Sequence, residues 1–156
     1  MAEAPKTRLI CENRKARHEY HFLELLEAGI ELQGTEVKSL RLGKGNIQDA
    51  FAKVEDGEMR IYNMHISPYE MGNRFNHEPK RPRRLLLHKQ EISRLYAKVR
   101  EKGLTIVPTR VYFNHGKVKV EIALAQGKKL FDKREDLVAR AMKRDTERAL
   151  KERGRE

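Results

Sequence analysis

The chain has 156 residues, 34 Lys/Arg against 23 Asp/Glu for a formal charge of +11 at pH 7, and one cysteine. That length suits one domain with an appendage, the charge points to a polyanionic partner such as RNA or DNA, and a single cysteine rules out an internal disulfide framework. No stretch approaches the ~20 apolar residues of a membrane span, and Ala2–Arg8 is too polar for a secretory leader.

Residues 1–12, polar through Arg8, read as a disordered leader, residues 13–127 as a body and residues 128–156 as a basic tail. From Tyr20, YHFLELLEAGIEL reads as one long strand that bends near Ala28-Gly29, where glycine relieves the backbone. Thr35 is placed to cap a short helix, TEVKSLRL, which Gly43 ends. AFAKVEDGEMRIYNM is a hairpin, because Asp56-Gly57 supplies the positive φ that a tight type I′ turn demands. Met71–Arg84 is polar and basic, is interrupted by Pro79 and Pro82, and reads as a long loop. Leu85–Leu87 is a short buried strand. A helix then carries Ile92, Leu95, Tyr96 and Val99 at i, i+3, i+4 and i+7, and ends at Gly103.

A second hairpin follows, LTIVPTRVYF and KVKVEIALA. Val118, Val120, Ile122 and Leu124 alternate with Lys119 and Glu121, so one face is core and the other wet. Pro108 cannot donate to a ladder and marks an edge or a bulge. Six short-spaced strands with two helices predict a small antiparallel barrel. The tail holds eleven Lys/Arg against seven Asp/Glu and reads as helical from about Asp132. It has almost nothing to bury beyond a stripe of Leu137, Val138, Ala141 and Met142, so it is expected to be partly or wholly unfolded until a surface orders it.

Chemistry beyond binding finds little support. Of six histidines, only His18 and His21 lie close together, with no second pair at ligand spacing, so no metal site is expected. RLGKGN is not a phosphate loop, since Gly45 and not Ser or Thr follows the Lys, although Lys44 could still touch a phosphate. No nucleophile motif accompanies the many carboxylates, and neither an enzymatic activity nor a cofactor is expected. The basic clusters are better candidates: Arg14, Lys15 and Arg17 before the first strand, and Lys80, Arg81, Arg83 and Arg84 in the Pro-rich loop. With aromatic neighbours (His18, Tyr20, Phe75 and His77) they suit structured RNA better than duplex DNA, which would call for a recognition helix. A general RNA-binding or ribosomal protein, and an RNA-processing enzyme, stay open at this level.

Four motifs read together are more specific: NRKARHEY from Asn13, EAGIELQGTEVKSLRLGKGN from Glu27 to Asn46, YNMHISPYE from Tyr62, and GKKLFDKRED from Gly127. In that order and spacing the chain resembles the SsrA-binding protein (small protein B) family of bacterial ribosome rescue, over nearly its whole length from Cys11. The resemblance implies a mainly β fold: an oligonucleotide-binding-type antiparallel β-barrel with two or three peripheral helices, and a C-terminal tail disordered or partly helical when free. It implies a cytoplasmic, non-enzymatic adaptor that binds the tRNA-like domain of transfer-messenger RNA and delivers it to stalled ribosomes, with elongation factor Tu in the same complex and no membrane partner. The tail would become helical in the mRNA channel, near the decoding centre and 16S rRNA.

Motif by motif, the resemblance puts RNA-binding roles on Glu27, Leu87 and Lys119. It adds Arg14, Lys15, Arg17 and His18 from the first motif, Lys38, Arg41, Lys44 and Asn46 from the second, and Lys128 and Lys129 from the fourth. Phe131, Asp132, Lys133 and Arg134, with Leu137 and Met142, would serve the tail's ribosomal role. Phe131 stands where the family carries Tyr or His, which preserves stacking but not a hydroxyl or ring nitrogen. Gln126 stands where the family carries a lysine before the glycine of its GKK motif.

Overall fold

Alternation of apolar and polar residues in the long strands makes one face a core, and the turns between them close that face into a barrel. A computed structural model describes the backbone of residues 7–70, 76–128 and 130–153, and their side chains except at 130–133, 135, 136, 152 and 153. The chain divides into two units, Met1–Gln126 and Gly127–Glu156.

In the first unit, in chain order, come β1 (Thr7–Glu12), α1 (Arg14–Glu19), β2 (Tyr20–Ile30), α2 (Gly34–Arg41), β3 (Gly45–Asn46), β4 (Phe51–Glu55), β5 (Glu58–Tyr62) and β6 (His65–Ile66). They are followed by β7 (Arg83–Leu86), α3 (Lys89–Lys102), β8 (Thr105–Asn114) and β9 (Lys117–Gly127). The main sheet runs β1-β8-β4-β5-β7-β2-β9, and a β8–β9 pairing closes β8, β4, β5, β7, β2 and β9 into a ring. These six are the strands the sequence predicts. The pairings β4–β5, β4–β8, β5–β7, β2–β7 and β8–β9 are all antiparallel, and that alternation around the ring makes β2–β9 antiparallel too.

Inside the ring lie Met59, Ile61, Leu85, Val111, Val120, Ile122 and Leu124, joined by Leu40 of α2 and Leu95 of α3. Val107, Ala123 and Ala125 form a smaller cluster with Ala16 of α1. Both hairpins turn on two residues with positive φ, Asp56 at 52° with Gly57 at 76°, and His115 at 51° with Gly116 at 80°. This is the twist-matched type I′ geometry. Pro108 does mark a bulge: the β8–β9 register shifts between Pro108 and Arg110, leaving Thr109 unpaired.

Several sequence expectations change, among them the short strand, which runs Arg83–Leu86 and not Leu85–Leu87 and leaves Leu86 48% exposed. The leader is a strand from Thr7 onward, since β1 pairs with the far end of β8 from Thr7↔Asn114 to Glu12↔Arg110. The helix around TEVKSLRL starts at Gly34 behind Gln33. Glu36 accepts from the Gln33 N–H at 2.8 Å, and Thr35 does not cap but shares a hydrogen bond with His77 Nδ1 at 2.9 Å. The first basic cluster is itself a helix, α1, capped by Asn13, whose Oδ1 accepts from the Ala16 N–H at 3.0 Å. Asn13 is buried and also donates through Nδ2 to the Ile47 and Pro108 carbonyls at 2.9 and 3.0 Å. Only a side chain that both donates and accepts can bind all three.

The second unit carries α4 (Leu130–Arg153). Its first turn begins two residues before the predicted start. Leu137, Val138 and Met142 are exposed along it. Thr146 donates to the Met142 carbonyl at 2.9 Å, and Arg148 pairs with Asp145 at 3.6 Å.

Candidate nucleic-acid interface

Folding brings Glu27, Leu87 and Lys119 together. Gly29 and Ile30 of β2 pair with Leu86 and Leu85 of β7, β9 neighbours β2 on its other side, and the three residues line one groove of about 550 Å³. Arg84, Leu86, His88 and Lys89 line it as well. β2 and β7 approach closely at Gly29: a Cβ there would lie 3.2 Å from Leu86 Cβ, and Leu86 would have to give by a few tenths of an ångström. Leu87 is partly buried against the core. Leu86 is the more open of the two, 48% exposed. Glu27 is exposed and accepts a hydrogen bond from the Tyr112 hydroxyl. Lys119 is half-buried on β9 directly opposite Tyr112. A cation, a carboxylate and apolar surface in one groove can meet a phosphate, a base edge or 2′-OH, and a sugar or base face respectively.

A second group sits on α2 and the turn after it. Lys38 and Arg41 are exposed, with Lys38 Nζ 5.6 Å from the centre of the Tyr69 ring. Lys44 pairs with Glu70 at 3.2 Å, and exposed Asn46 accepts from the Gln48 N–H at 2.9 Å. The third group is α1. Arg14, Lys15 and Arg17 are exposed and His18 is half-buried. Lys15 pairs with Asp49 at 3.1 Å and Arg17 with Glu12 at 3.1 Å. Such pairs at the surface contribute little, so these cations can exchange a carboxylate for a phosphate. Lys128 is half-buried. Lys129 and the side chains of Phe131, Asp132 and Lys133 lie outside the described residues, while Arg134, Leu137 and Met142 are exposed on α4.

The four cations of the Pro-rich loop divide: Lys80 and Arg84 are exposed, whereas Arg81 and Arg83 turn to Glu36. Arg83 opens β7 with its side chain fully buried, and Glu36 is equally buried. Arg83 Nε donates to Glu36 Oε2, Nη1 to the Met64 carbonyl at 2.7 Å and Nη2 to the Pro79 carbonyl at 3.2 Å. Arg81 donates to Glu36 Oε1 from Nη2 at 2.5 Å and Nε at 3.1 Å. Burial pushes the Glu36 carboxyl up, but hydrogen bonds from Arg81 and the Gln33 N–H, with Arg83 beside it, outweigh that and hold it below the ordinary range. His77 is buried too, its Nε2 bonded to the Ile66 carbonyl at 2.8 Å. These residues clamp α2 to the loop and so fix the face that carries Lys38 and Arg41. Phe75 lies outside the described residues.

Tyr112 is the groove-side residue that sequence reasoning missed. Arg110, Tyr112 and Asn114 are half-exposed while Val111 and Phe113 are buried, an alternation that could have placed Tyr112 beside Lys119. Its phenol is pushed up to about 12, by burial first and then by the hydrogen bond to Glu27. Cys11 is half-buried and its thiol is pushed up to about 11 by burial, the opposite of an activated nucleophile. Among the described residues no group of three or more His, Cys, Asp or Glu is placed to hold a metal ion, and no helix is long and apolar enough to cross a membrane.

The family model described as SmpB protein matches residues 10–152. An SsrA-binding protein of Desulforamulus reducens is 71% identical over 145 residues, covering 92% of this chain and 90% of the relative. One of Pelotomaculum thermopropionicum is 62% identical over 148 residues, covering 95% and 97%. A chain in the solved structure described as "tmRNA-SmpB: a journey to the center of the bacterial ribosome" is 55% identical with a TM-score of 0.65, covering 77% of this chain and 85% of that one.

Proposed function

The chain belongs to the SmpB protein family, and from that premise we propose that it binds transfer-messenger RNA and delivers it to stalled ribosomes in trans-translation. The observation that carries this reading is the extent of the match, residues 10–152, which spans the barrel and nearly all of α4. Relatives more than 60% identical are named SsrA-binding proteins, and a structural relative comes from a tmRNA–SmpB study of the ribosome.

In finer detail, the barrel grips the tRNA-like domain. Glu27, Leu87 and Lys119 form the centre of the contact. Lys38, Arg41, Lys44 and Asn46, and Arg14, Lys15, Arg17, His18, Lys128 and Lys129, supply phosphate and sugar contacts. Glu27 is repelled by phosphate and therefore aims at a base edge or 2′-OH. The tail enters the empty mRNA channel near the decoding centre and 16S rRNA. There Phe131, Asp132, Lys133 and Arg134 meet ribosomal RNA, and Leu137 and Met142 lose their exposure. Ordering such a segment costs entropy, which the contacts must offset. Elongation factor Tu travels in the same complex. The chain acts as a non-enzymatic adaptor in the bacterial cytoplasm, without a cofactor or a membrane.

Competition tests the reading. At raised salt the phosphate contribution falls steeply, by about 0.7–0.9 log units in K per phosphate neutralised for each log unit of salt. Base and shape contacts survive this screening, so the chain should still prefer the tRNA-like domain over bulk tRNA. Equal competition by bulk tRNA would make it a general RNA binder instead.

A further inference from the structure

The groove explains where Glu27 lies but not what holds its carboxylate. An exposed glutamate has several rotatable bonds, and ordering such a side chain on binding weakens the complex. Here the carboxylate is held from two strands away, over β9, which lies between β2 and β8. The Tyr112 hydroxyl of β8 donates to Glu27 Oε2. The Tyr112 ring faces the Arg110 guanidinium at 5.7 Å, and Arg110 Nη2 is tied to Glu121 Oε2 at 2.6 Å. Thr109, fully buried at the β8 bulge, donates to Glu121 Oε1 at 2.7 Å. A bulge re-aims the residues beside it, and here it lets both Thr109 and Arg110 reach one carboxylate on β9. The contacts run without a gap from Thr109 through Glu121, Arg110 and Tyr112 to Glu27.

We infer that Tyr112 is a positioning residue for RNA recognition: its hydroxyl fixes Glu27 so that the second carboxylate oxygen is presented to a hydrogen-bond donor of the bound RNA, while Lys119 beside it meets a phosphate. This role presupposes the RNA-binding reading above. An ionised carboxylate accepts up to about four hydrogen bonds, so the phenol occupies one site and leaves the free oxygen open. The donor is a base N–H or a ribose 2′-OH. The phenol, which titrates only at about 12, remains a donor throughout the physiological range.

A double-mutant cycle on the full-length chain tests this, with the tRNA-like domain of transfer-messenger RNA as probe and thermal melting as the check on folding. Tyr112→Phe keeps the ring under Arg110 and removes only the hydroxyl. It should weaken binding roughly fivefold, the cost of ordering one freed glutamate side chain, with the melting temperature unchanged. On a Glu27→Ala background the same change should do nothing further. Wild-type affinity in Tyr112→Phe, or an equal loss on both backgrounds, overturns the inference. RNAs with single 2′-deoxy or base-amino deletions then separate the two donors: the modification that weakens the wild type should be silent on Glu27→Ala. If every modification weakens both proteins alike, Glu27 reads no donor and the inference falls. A wild type that does not prefer the probe over bulk tRNA overturns the RNA reading and the inference with it, whereas a clear preference with a flat cycle overturns the inference alone.

Discussion

Replacing Glu36 by glutamine changes one charge at a buried carboxylate that accepts four hydrogen bonds. The carboxylate accepts from Arg83 Nε through Oε2, and through Oε1 from Gln33 N–H at 2.8 Å and Arg81 at 2.5 and 3.1 Å. An amide offers one oxygen, so its NH2 must face either the Arg83 donor or the Arg81 and Gln33 donors. Arg83, 0% exposed, would keep its charge without a counter-ion. Leaving one partner of a buried pair uncompensated costs about 3–5 kcal/mol, out of a typical total of about 5–15 kcal/mol. Urea unfolding followed by circular dichroism should show the midpoint fall by about 2 M, taking a slope near 2 kcal/mol per M. The double variant Glu36→Leu/Arg83→Met should lose less than Glu36→Gln alone, because it strands no fully buried charge and Arg81, 26% exposed, can turn to water. The pH dependence follows from the same bonds. With its folded-state carboxyl depressed, Glu36 stabilises fully above the ordinary value of 4.5, and that contribution fades as pH falls below 4.5 toward the folded value. The acid limb of stability should therefore be shallower in Glu36→Gln. A loss under about 1 kcal/mol, well below the cost of stranding a buried charge, or an unchanged acid limb, would show that Glu36 does not hold Arg83 in this way.

Asn13→Ala removes the α1 cap and one donor each from the Ile47 and Pro108 carbonyls, the first of which still accepts from the Ala50 N–H at 3.1 Å, so calorimetric melting should report about 1–3 kcal/mol of lost stability; a loss below about 0.5 kcal/mol would contradict that role. The Cys11 thiol, raised to about 11 from 9.0, should alkylate with iodoacetamide roughly a hundredfold more slowly in the native chain at pH 7.5 than in urea, since the thiolate fraction falls tenfold per unit; equal rates would contradict the burial.

The barrel's six strands were readable because their signals are local. Asp56-Gly57 sets one hairpin, Pro108 announces its bulge, and Val118 to Leu124 alternate with Lys119 and Glu121. β1 was not readable, because Thr7, Arg8 and Leu9 are exposed and the strand exists only through its pairing with β8. Nor was α1, whose six residues bury only Ala16 and so show no apolar period. The fate of the Pro-rich loop is decided wholly by tertiary contact: Arg83 and Lys80 look alike in sequence, and only the position of Glu36 makes one of them core. Glu27, Leu87 and Lys119 were legible through family motifs, and their shared groove only through folding. Tyr112 carries a local signal for its place beside Lys119, the alternation with Val111 and Phe113, but none for its contact with Glu27, which lies far away in sequence and on another strand.

On the proposed function the two units do separate jobs, RNA grip in the barrel and ribosomal sensing in the tail, a division that one truncation probes. It is tested most directly by ending the chain after Gly127 and measuring two quantities side by side, affinity for transfer-messenger RNA and tagging of a stalled nascent chain in a reconstituted translation system. Near-normal RNA affinity with tagging abolished is the expected result. Lost RNA affinity in the shortened chain, or tagging that continues without α4, would contradict it.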